Sequence, residues 1–304
     1  MLELRSSLSV AASFAMLTGC AMQGSPVPVN APVTPAISST AREATSQDLL
    51  YVSDLGTNLV DILTYPGGKL INKLSGFGAV SGLCVDKAGD VFVVDEAGPV
   101  QMFAHGGTTP IRKLKTYGAP IGCAVDPVTG NLAVTNVSSY IYGAIAIYAK
   151  AKGQPKLIHN SAANSTYYCG YDASGNLFVD GNSHSQPFVL WELPKGKSSL
   201  KDLGFSKKVD QPGGVQFDGT YVAVGSFGNG LIYRTKDGTG SVVQTVTLKS
   251  GTHVQQFWVQ GSTLVGQDNG QVPYYRYPAG GSPSKEILGL SEPIAAVVSV
   301  GKAP

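Results

Sequence analysis

The fold is decided by a short pattern whose clearest copy reads I-G-C-A-V-D at residues 121–126 and then G-N-L-A-V-T-N at residues 130–136. The first run is an apolar strand that ends in an Asp, and the second is another short strand that follows a turn rich in Gly and Asn. Related pairs occur as G-L-C-V-D with G-D-V-F-V-V-D, and as C-G-Y-D with G-N-L-F-V-D. The pattern therefore predicts a β-hairpin that recurs along the chain.

The residue that closes the first strand of this hairpin recurs every 40 to 46 residues. Its positions, including two at which Asp is replaced, are Asp86, Asp126, Asp172, Asp218, Gln260 and Val300. A first unit that begins at Leu49 brings the number of units to six. Each unit continues with a strand that carries an aromatic residue, a Gly-rich hairpin and a fourth strand. Repeats of this length and content are typical of propeller blades, so the sequence predicts an all-β, six-bladed β-propeller.

The two ends of the repeat region complement each other. The region begins with L-L-Y-V-S-D at residues 49–54, which matches a second strand, and ends with P-I-A-A-V-V-S-V at residues 293–300, which matches a first strand. We therefore predict that the C-terminal strand joins the first blade and closes the ring, which removes the open sheet edges. Deletion of residues 292–304 should then unfold the domain.

The order of apolar strand, Asp, Gly-Asn turn and a strand ending in Asp or Asn resembles the NHL-like and YVTN-like six-bladed propeller repeats. It is also similar to the looser superfamily that includes gluconolactonase-type propellers. The resemblance covers about residues 49–300. The resemblance strongly implies the propeller architecture and carries little information about the activity.

The N-terminal region predicts export and a lipid anchor. An apolar and small-residue run at residues 6–18 is too short to span a bilayer, and L-T-G-C follows at residues 17–20. This resembles the bacterial lipobox, which implies a signal peptide over residues 1–20 and lipidation of Cys20; the alternative is an ordinary secretory signal. Residues 21–47 predict a flexible tether rich in Pro, Ser and Ala, followed by the propeller at 48–304. Ala21 after the Cys implies a lipid-anchored envelope protein at the outer membrane.

The remaining cysteines and the outer histidines predict structural roles. Three cysteines remain after Cys20, namely Cys84, Cys123 and Cys169, and an odd number argues against a disulfide framework. We predict that they are small buried core residues, with a bridge between Cys123 and Cys169 only if neighbouring inner strands approach closely. No Cys or His spacing indicates a metal site. His105 and His159 fall on outer strands or hairpins and are predicted to be solvated.

Propeller geometry predicts where a ligand would bind. The ends of the second strands and the starts of the first strands lie on one rim of the central channel, the usual ligand face of propellers. The candidate ligand-binding residues on this rim are Asp54, Asp95, Asn136, Tyr167, Asn182, Gln211, His253, Asp268 and Glu292. For Asp54, Asp95 and Asn136 the competing interpretation is capping of backbone N–H groups. His253 and Glu292 depart from the repeat pattern, which favours a functional role.

Three functions stay open. Net charge is +2 and no basic stripe is present, so nucleic acid is not an expected partner. No catalytic signature is found, which favours a binding or scaffold propeller with a protein partner or a saccharide and no cofactor. A related role is that of a subunit in a larger outer-membrane assembly. The alternative is a metal-dependent lactonase-like or lyase-like enzyme.

The enzyme alternative comes from the gluconolactonase resemblance, which implies a channel calcium ion bound by oxygen ligands. The residues that could supply those ligands are Asp54, Asn136, Asn182 and Asp268. A lyase would use His253 as its base. The strand L-L-Y-V-S-D lacks the Glu that the lactonase family has there, so this chain departs from the family pattern.

Overall fold

A computed structural model describes residues 46–137, 143–250 and 254–302 of the chain. The described residues form six four-stranded antiparallel sheets, together with a 3-10 turn at Ala149–Ala151. The predicted six-bladed β-propeller is therefore confirmed. Within the same residues, no helix has the length and apolar character needed to cross a bilayer. The predicted signal peptide, Cys20 and the tether up to residue 45 lie outside the described residues, as does His253.

The blades follow one another along the chain, and each is described from the central channel outward. Blade 1 contains β24 (Pro293–Ser299), β1 (Leu49–Asp54), β2 (Leu59–Thr64) and β3 (Leu70–Leu74). Blade 2 contains β4 (Val80–Val85), β5 (Val91–Asp95), β6 (Val100–Phe103) and β7 (Pro110–Leu114). Blade 3 contains β8 (Pro120–Val125), β9 (Leu132–Asn136), β10 (Ile145–Tyr148) and β11 (Lys156–Ile158).

The second half of the ring repeats this order. Blade 4 contains β12 (Ala163–Tyr171), β13 (Leu177–Ser183), β14 (Val189–Leu193) and β15 (Lys201–Asp202). Blade 5 contains β16 (Gln211–Phe217), β17 (Val222–Phe227), β18 (Leu231–Thr235) and β19 (Val242–Thr247). Blade 6 contains β20 (Trp258–Gln260), β21 (Thr263–Val265), β22 (Gln271–Arg276) and β23 (Lys285–Leu288).

The core lies between neighbouring blades, which explains the apolar strand sequences. β5 reads V-F-V-V-D and is buried along its whole length, because both of its faces are covered by adjacent blades. Between blades 1 and 2, for example, Tyr51 and Leu49 of β1 belong to one buried cluster with Leu83 and Phe103. Burial of side chains of this size stabilises the fold by about 1.5–3 kcal/mol each.

The repeat Asp residues form turns, as the sequence predicted. Oδ1 of Asp86 accepts hydrogen bonds from the N–H groups of Ala88 at 2.8 Å and Asp90 at 3.0 Å. Asp172 accepts from Ser174 and Asn176 in the same way, both at 2.8 Å. These carboxylates satisfy backbone donors in the tight turn between the first and second strands.

The ring closes as predicted through β24, which pairs antiparallel with β1 from Leu49↔Ser299 onward. His159 is exposed, as predicted, whereas His105 is half-buried and both of its ring nitrogens have hydrogen-bond partners. Its Nδ1 lies 2.6 Å from Ser299 Oγ, and its Nε2 lies 3.0 Å from the Gln47 carbonyl. The Ser299 hydroxyl also donates to the Gly89 carbonyl at 2.6 Å. His105 of blade 2 therefore contacts the closing strand of blade 1, a contact that the repeat pattern does not encode.

The inner strands approach one another very closely around the channel. A Cβ atom on Gly82 of β4 would lie 2.4 Å from the Ile121 carbonyl of β8, and one on Gly122 would lie 2.6 Å from the Tyr167 carbonyl of β12. Only glycine fits at such distances. Each of β4, β8, β12 and β16 also carries a β-bulge near this level.

This close approach corrects the cysteine prediction. Cys84 and Cys123 form a disulfide between β4 and β8, with their Cα atoms 5.7 Å apart. Cys169 is a free, buried thiol. The odd number of cysteines argued against a disulfide framework, and the one bridge that was left open, Cys123 with Cys169, is the wrong pair. Burial was predicted correctly, since all three residues are at most 5% exposed.

Candidate functional site

The central channel is divided by a segment that leads into the short inner strand of blade 6. We name residues 255–257 the crossing segment. The Gln256 side chain reaches blade 2, where its Oε1 accepts from the Leu83 N–H at 3.0 Å and its Nε2 donates to the Leu83 carbonyl at 2.5 Å. The Gln255 carbonyl accepts from the Gly214 N–H of blade 5 at 2.5 Å. The segment therefore connects blades 2 and 5 across the channel and separates its two mouths.

The first mouth is the predicted rim, and it contains a cavity of about 360 Å³ that we name the rim cavity. It is lined by the starts of first strands and by the residues at or just beyond the ends of second strands. Four of the predicted site residues line it: Tyr167, Asn182, Gln211 and Glu292. The Oδ1 atom of Asn182 is buried and has no hydrogen-bond partner among the described residues. Gln255 of the crossing segment lies on the other side of the cavity and also lines a neighbouring groove of about 390 Å³.

The rim cavity is acidic. Its lining includes the carboxylates of Glu96, Asp210 and Glu292, and among the described lining residues there is no Lys or Arg. Desolvation raises the pKa of Glu96 above its ordinary value; the Ser81 side chain opposes this rise, and the Asp95 carboxylate adds to it. The nearest cation to Asp210 is Lys208, whose Nζ lies 3.8 Å from Oδ1. Its side chain is 90% exposed, so this ion pair is weak and leaves the cavity negative.

Three predicted site residues cap backbone N–H groups instead of lining this cavity. Asp54 accepts from the N–H groups of Ser291 at 2.8 Å and Glu292 at 2.9 Å. The Asp95 carboxylate accepts from the N–H groups of Gly78, Ala79 and Ala97 at 2.8–3.1 Å. Asn136 accepts from the Ala119 N–H at 3.1 Å and donates to the Tyr117 carbonyl. These contacts match the capping interpretation, and a ligand-binding role for the three residues stays a prediction.

The four residues considered as oxygen ligands of a calcium ion have different surroundings. Asp54 and Asn136 are engaged by backbone groups, whereas Asn182 lines the rim cavity. Asp268 is buried, and its N–H donates to the Gln271 carbonyl at 2.9 Å. Over residues 46–137, 143–250 and 254–302, no group of three or more His, Cys, Asp or Glu side chains could hold a metal.

The lining residues of the rim cavity that sequence reasoning missed include Glu96, Tyr168, Asp210 and Gln255. Three of them directly follow or precede a predicted site residue, since Glu96 follows Asp95, Tyr168 follows Tyr167, and Asp210 precedes Gln211. The strand register alone would therefore have located these three residues to within one position along the chain. Gln255 has no such signal, because its position depends on the path of the crossing segment.

A buried carboxyl group holds the backbone of the rim in place through a hydrogen bond. Asp180 of β13 is 0% exposed, and its Oδ1 accepts from the Tyr168 N–H at the bulge of β12, at 2.7 Å. Its Oδ2 has no hydrogen-bond partner within the described part of the chain. Burial raises the pKa of Asp180 well above its ordinary value. Asp180 fixes the backbone that carries Tyr167 and Tyr168, so its role is to position the rim.

Comparisons with known proteins show the fold alone. No family model matches the chain, and no curated protein matches it significantly. Among solved structures, a chain from the crystal structure of a nidogen/laminin complex is similar, with a TM-score of 0.70 and 13% sequence identity. The similarity covers 84% of this chain and 100% of that chain.

Proposed function

We propose that the chain is a binding propeller whose rim cavity receives a basic group of a protein partner. The observation that carries this proposal is the acidic lining of the cavity, with Glu96, Asp210 and Glu292 around one opening. A Lys or Arg side chain that enters between these carboxylates would gain charge-assisted hydrogen bonds. The negative field would also steer a basic partner toward the mouth.

The shape and remaining polar groups of the cavity support a specific contact. Tyr167 and Tyr168 supply aromatic surface against which a cation can pack. The unpartnered Oδ1 of Asn182 supplies an acceptor. A volume of about 360 Å³ suits one or two side chains of a partner better than a long oligosaccharide.

The structural neighbour comes from a complex of two proteins, which supports the choice of a protein partner over a saccharide.

We further propose that the chain is an NHL-like or YVTN-like propeller that is exported and anchored to the cell envelope through lipid on Cys20. The metal-dependent lactonase or lyase is the alternative, and elemental analysis of the purified protein tests it. Stoichiometric calcium retained after dialysis would favour that alternative.

The test compares model ligands by isothermal titration calorimetry. A short Lys/Arg-rich peptide should bind the purified protein, and its affinity should fall with added salt because the contact is electrostatic. The combined variant Glu96→Gln, Asp210→Asn and Glu292→Gln should lose this binding. The control Glu286→Gln removes an exposed carboxylate on the outer strand β23 and should leave it unchanged.

Two results would contradict the proposal. One is peptide binding of the same strength in the triple variant and in the wild type. The other is binding of a neutral oligosaccharide that the triple variant loses while the peptide does not bind at all. Circular dichroism and thermal melting of each variant would show that the propeller is intact.

A further inference from the structure

The channel has a second cavity on the far side of the crossing segment, at the mouth formed by the ends of the inner strands. We name this cavity of about 410 Å³ the turn-face cavity. Its walls are largely apolar and aromatic. They include the Cys84–Cys123 disulfide, Val215, Phe257 and Trp258. It lies at the opposite end of the channel from the rim, on the face for which the sequence pattern predicts no ligand.

Three polar side chains that line the turn-face cavity already have hydrogen-bond partners. Both amide atoms of Gln256, which forms part of the lining, are hydrogen-bonded to Leu83. Both amide atoms of Gln216 are hydrogen-bonded to Val259, which donates at 2.7 Å and accepts at 3.2 Å. Asp172 accepts from the N–H groups of its own turn. The cavity therefore offers a ligand few polar groups with free hydrogen-bonding capacity.

The lining is also close to neutral. Asp172 is the single acidic side chain among the described lining residues, none of which is Lys, Arg or His, and the remainder are apolar, aromatic, amide or sulfur groups. Burial raises the pKa of the Cys169 thiol, which keeps it protonated and uncharged. An anionic ligand would lose its hydration here without gaining an opposite charge, and a cation would meet a single carboxylate that already accepts N–H groups of its own turn. The chemistry is thus the reverse of that in the acidic rim cavity.

We propose that the turn-face cavity is a second binding site, independent of the rim cavity, for a neutral and largely apolar molecule with one or two rings. Its volume lies within the range of small-molecule pockets. Phe257 and Trp258 present aromatic surface to such a ring. The indole N–H of Trp258 donates to Gln260 Oε1 at 3.2 Å, so the ring orientation is fixed by a contact outside the cavity.

The experiment uses the neutral fluorescent amine N-phenyl-1-naphthylamine as the probe and the purified full chain. Saturable, one-to-one fluorescence enhancement is expected with the wild type. Ala173 is exposed and lines the cavity, whereas the neighbouring Ser174 is exposed and does not line it. Ala173→Trp should weaken probe binding by about tenfold or more, because the indole occupies the mouth of the cavity. Ser174→Trp adds the same side chain one position away and should leave the affinity unchanged.

The triple rim variant should bind the probe like the wild type, which separates this site from the proposed rim function. The proposal is overturned if the wild type shows no saturable binding. It is also overturned if Ala173→Trp keeps the wild-type affinity, or if Ser174→Trp weakens binding as much as Ala173→Trp does. Thermal stabilisation of the wild type by the probe, absent in Ala173→Trp, gives a second readout that does not depend on fluorescence enhancement.

Discussion

The disulfide between the inner strands of blades 2 and 3 gives the most direct test of the structure. Replacing Cys84 and Cys123 together by Ala removes the covalent link between β4 and β8 and leaves the hydrogen bonds of both blades in place. The matched control is Cys169→Ala. It removes a buried sulfur from the equivalent inner strand of blade 4 without opening a loop.

The expected loss of stability follows from the length of the closed loop. The two cysteines are 39 residues apart in the sequence. In the chain-entropy model, a loop of this length restricts the unfolded chain by about 13 cal/mol/K, which corresponds to about 4 kcal/mol at 25 °C. In a domain of this size, that loss lowers the melting temperature by about 8–16 °C. Cys169→Ala lacks this contribution and should lose about 1–2 kcal/mol through packing alone.

Urea unfolding and thermal melting, each with and without a thiol reductant, measure the effect. Reductant should lower the stability of the wild type and of Cys169→Ala, and it should not change the double variant. Two results together would show that the two inner strands are not linked as described. The free energy of unfolding of the double variant would fall by no more than twice the decrease seen in Cys169→Ala, and reductant would leave the stability of the wild type unchanged.

Three further changes test the ring, the crossing segment and a buried carboxyl group. Removal of residues 292–304 takes away β24 and should abolish cooperative unfolding; a truncated protein with an unchanged melting temperature would contradict ring closure. Gln256→Ala leaves the buried N–H and carbonyl of Leu83 without their partner and should cost about 2–5 kcal/mol in urea unfolding, far more than an exposed Gln→Ala change. Asp180 has a raised pKa in the folded state, so the folded protein binds its proton more tightly than the unfolded chain, and wild-type stability falls as the pH rises from about 4 through that raised pKa. The stability of Asp180→Asn relative to the wild type should therefore increase as the pH rises. Parallel profiles of unfolding free energy against pH for the two proteins would refute this reasoning.

Much of the architecture could be predicted from local patterns in the chain. The Asp at 86, 126, 172 and 218 marks the turn of each inner hairpin because its carboxylate accepts N–H groups only two to four residues away. The aromatic residues that recur in the third strands, such as Tyr148 and Trp191, are buried, and Tyr148 of blade 3 belongs to one cluster with Phe92 of blade 2. Ring closure could be predicted because the repeat region begins with a second strand and ends with a first strand. Each of these two strands can therefore complete the blade of the other.

The candidate site could be predicted only in part. The rim is where strand direction placed it, and Tyr167, Asn182, Gln211 and Glu292 meet there. For Asp54 and Asp95, which bond to backbone groups, the sequence pattern left both capping and ligand binding open, because an Asp at a strand end has the same local signature in both roles.

The sequence by itself determined the number of blades, the strand order, the turns and the closure, since all of these follow from periodicity within about 46 residues. The tertiary structure alone decided the Cys84–Cys123 pairing, the path of Gln256 to Leu83 over 173 residues, and the division of the channel into an acidic and an apolar cavity. These features depend on how closely six inner strands converge on one axis. That distance is set by the packing of the whole ring, and no local stretch of sequence encodes it.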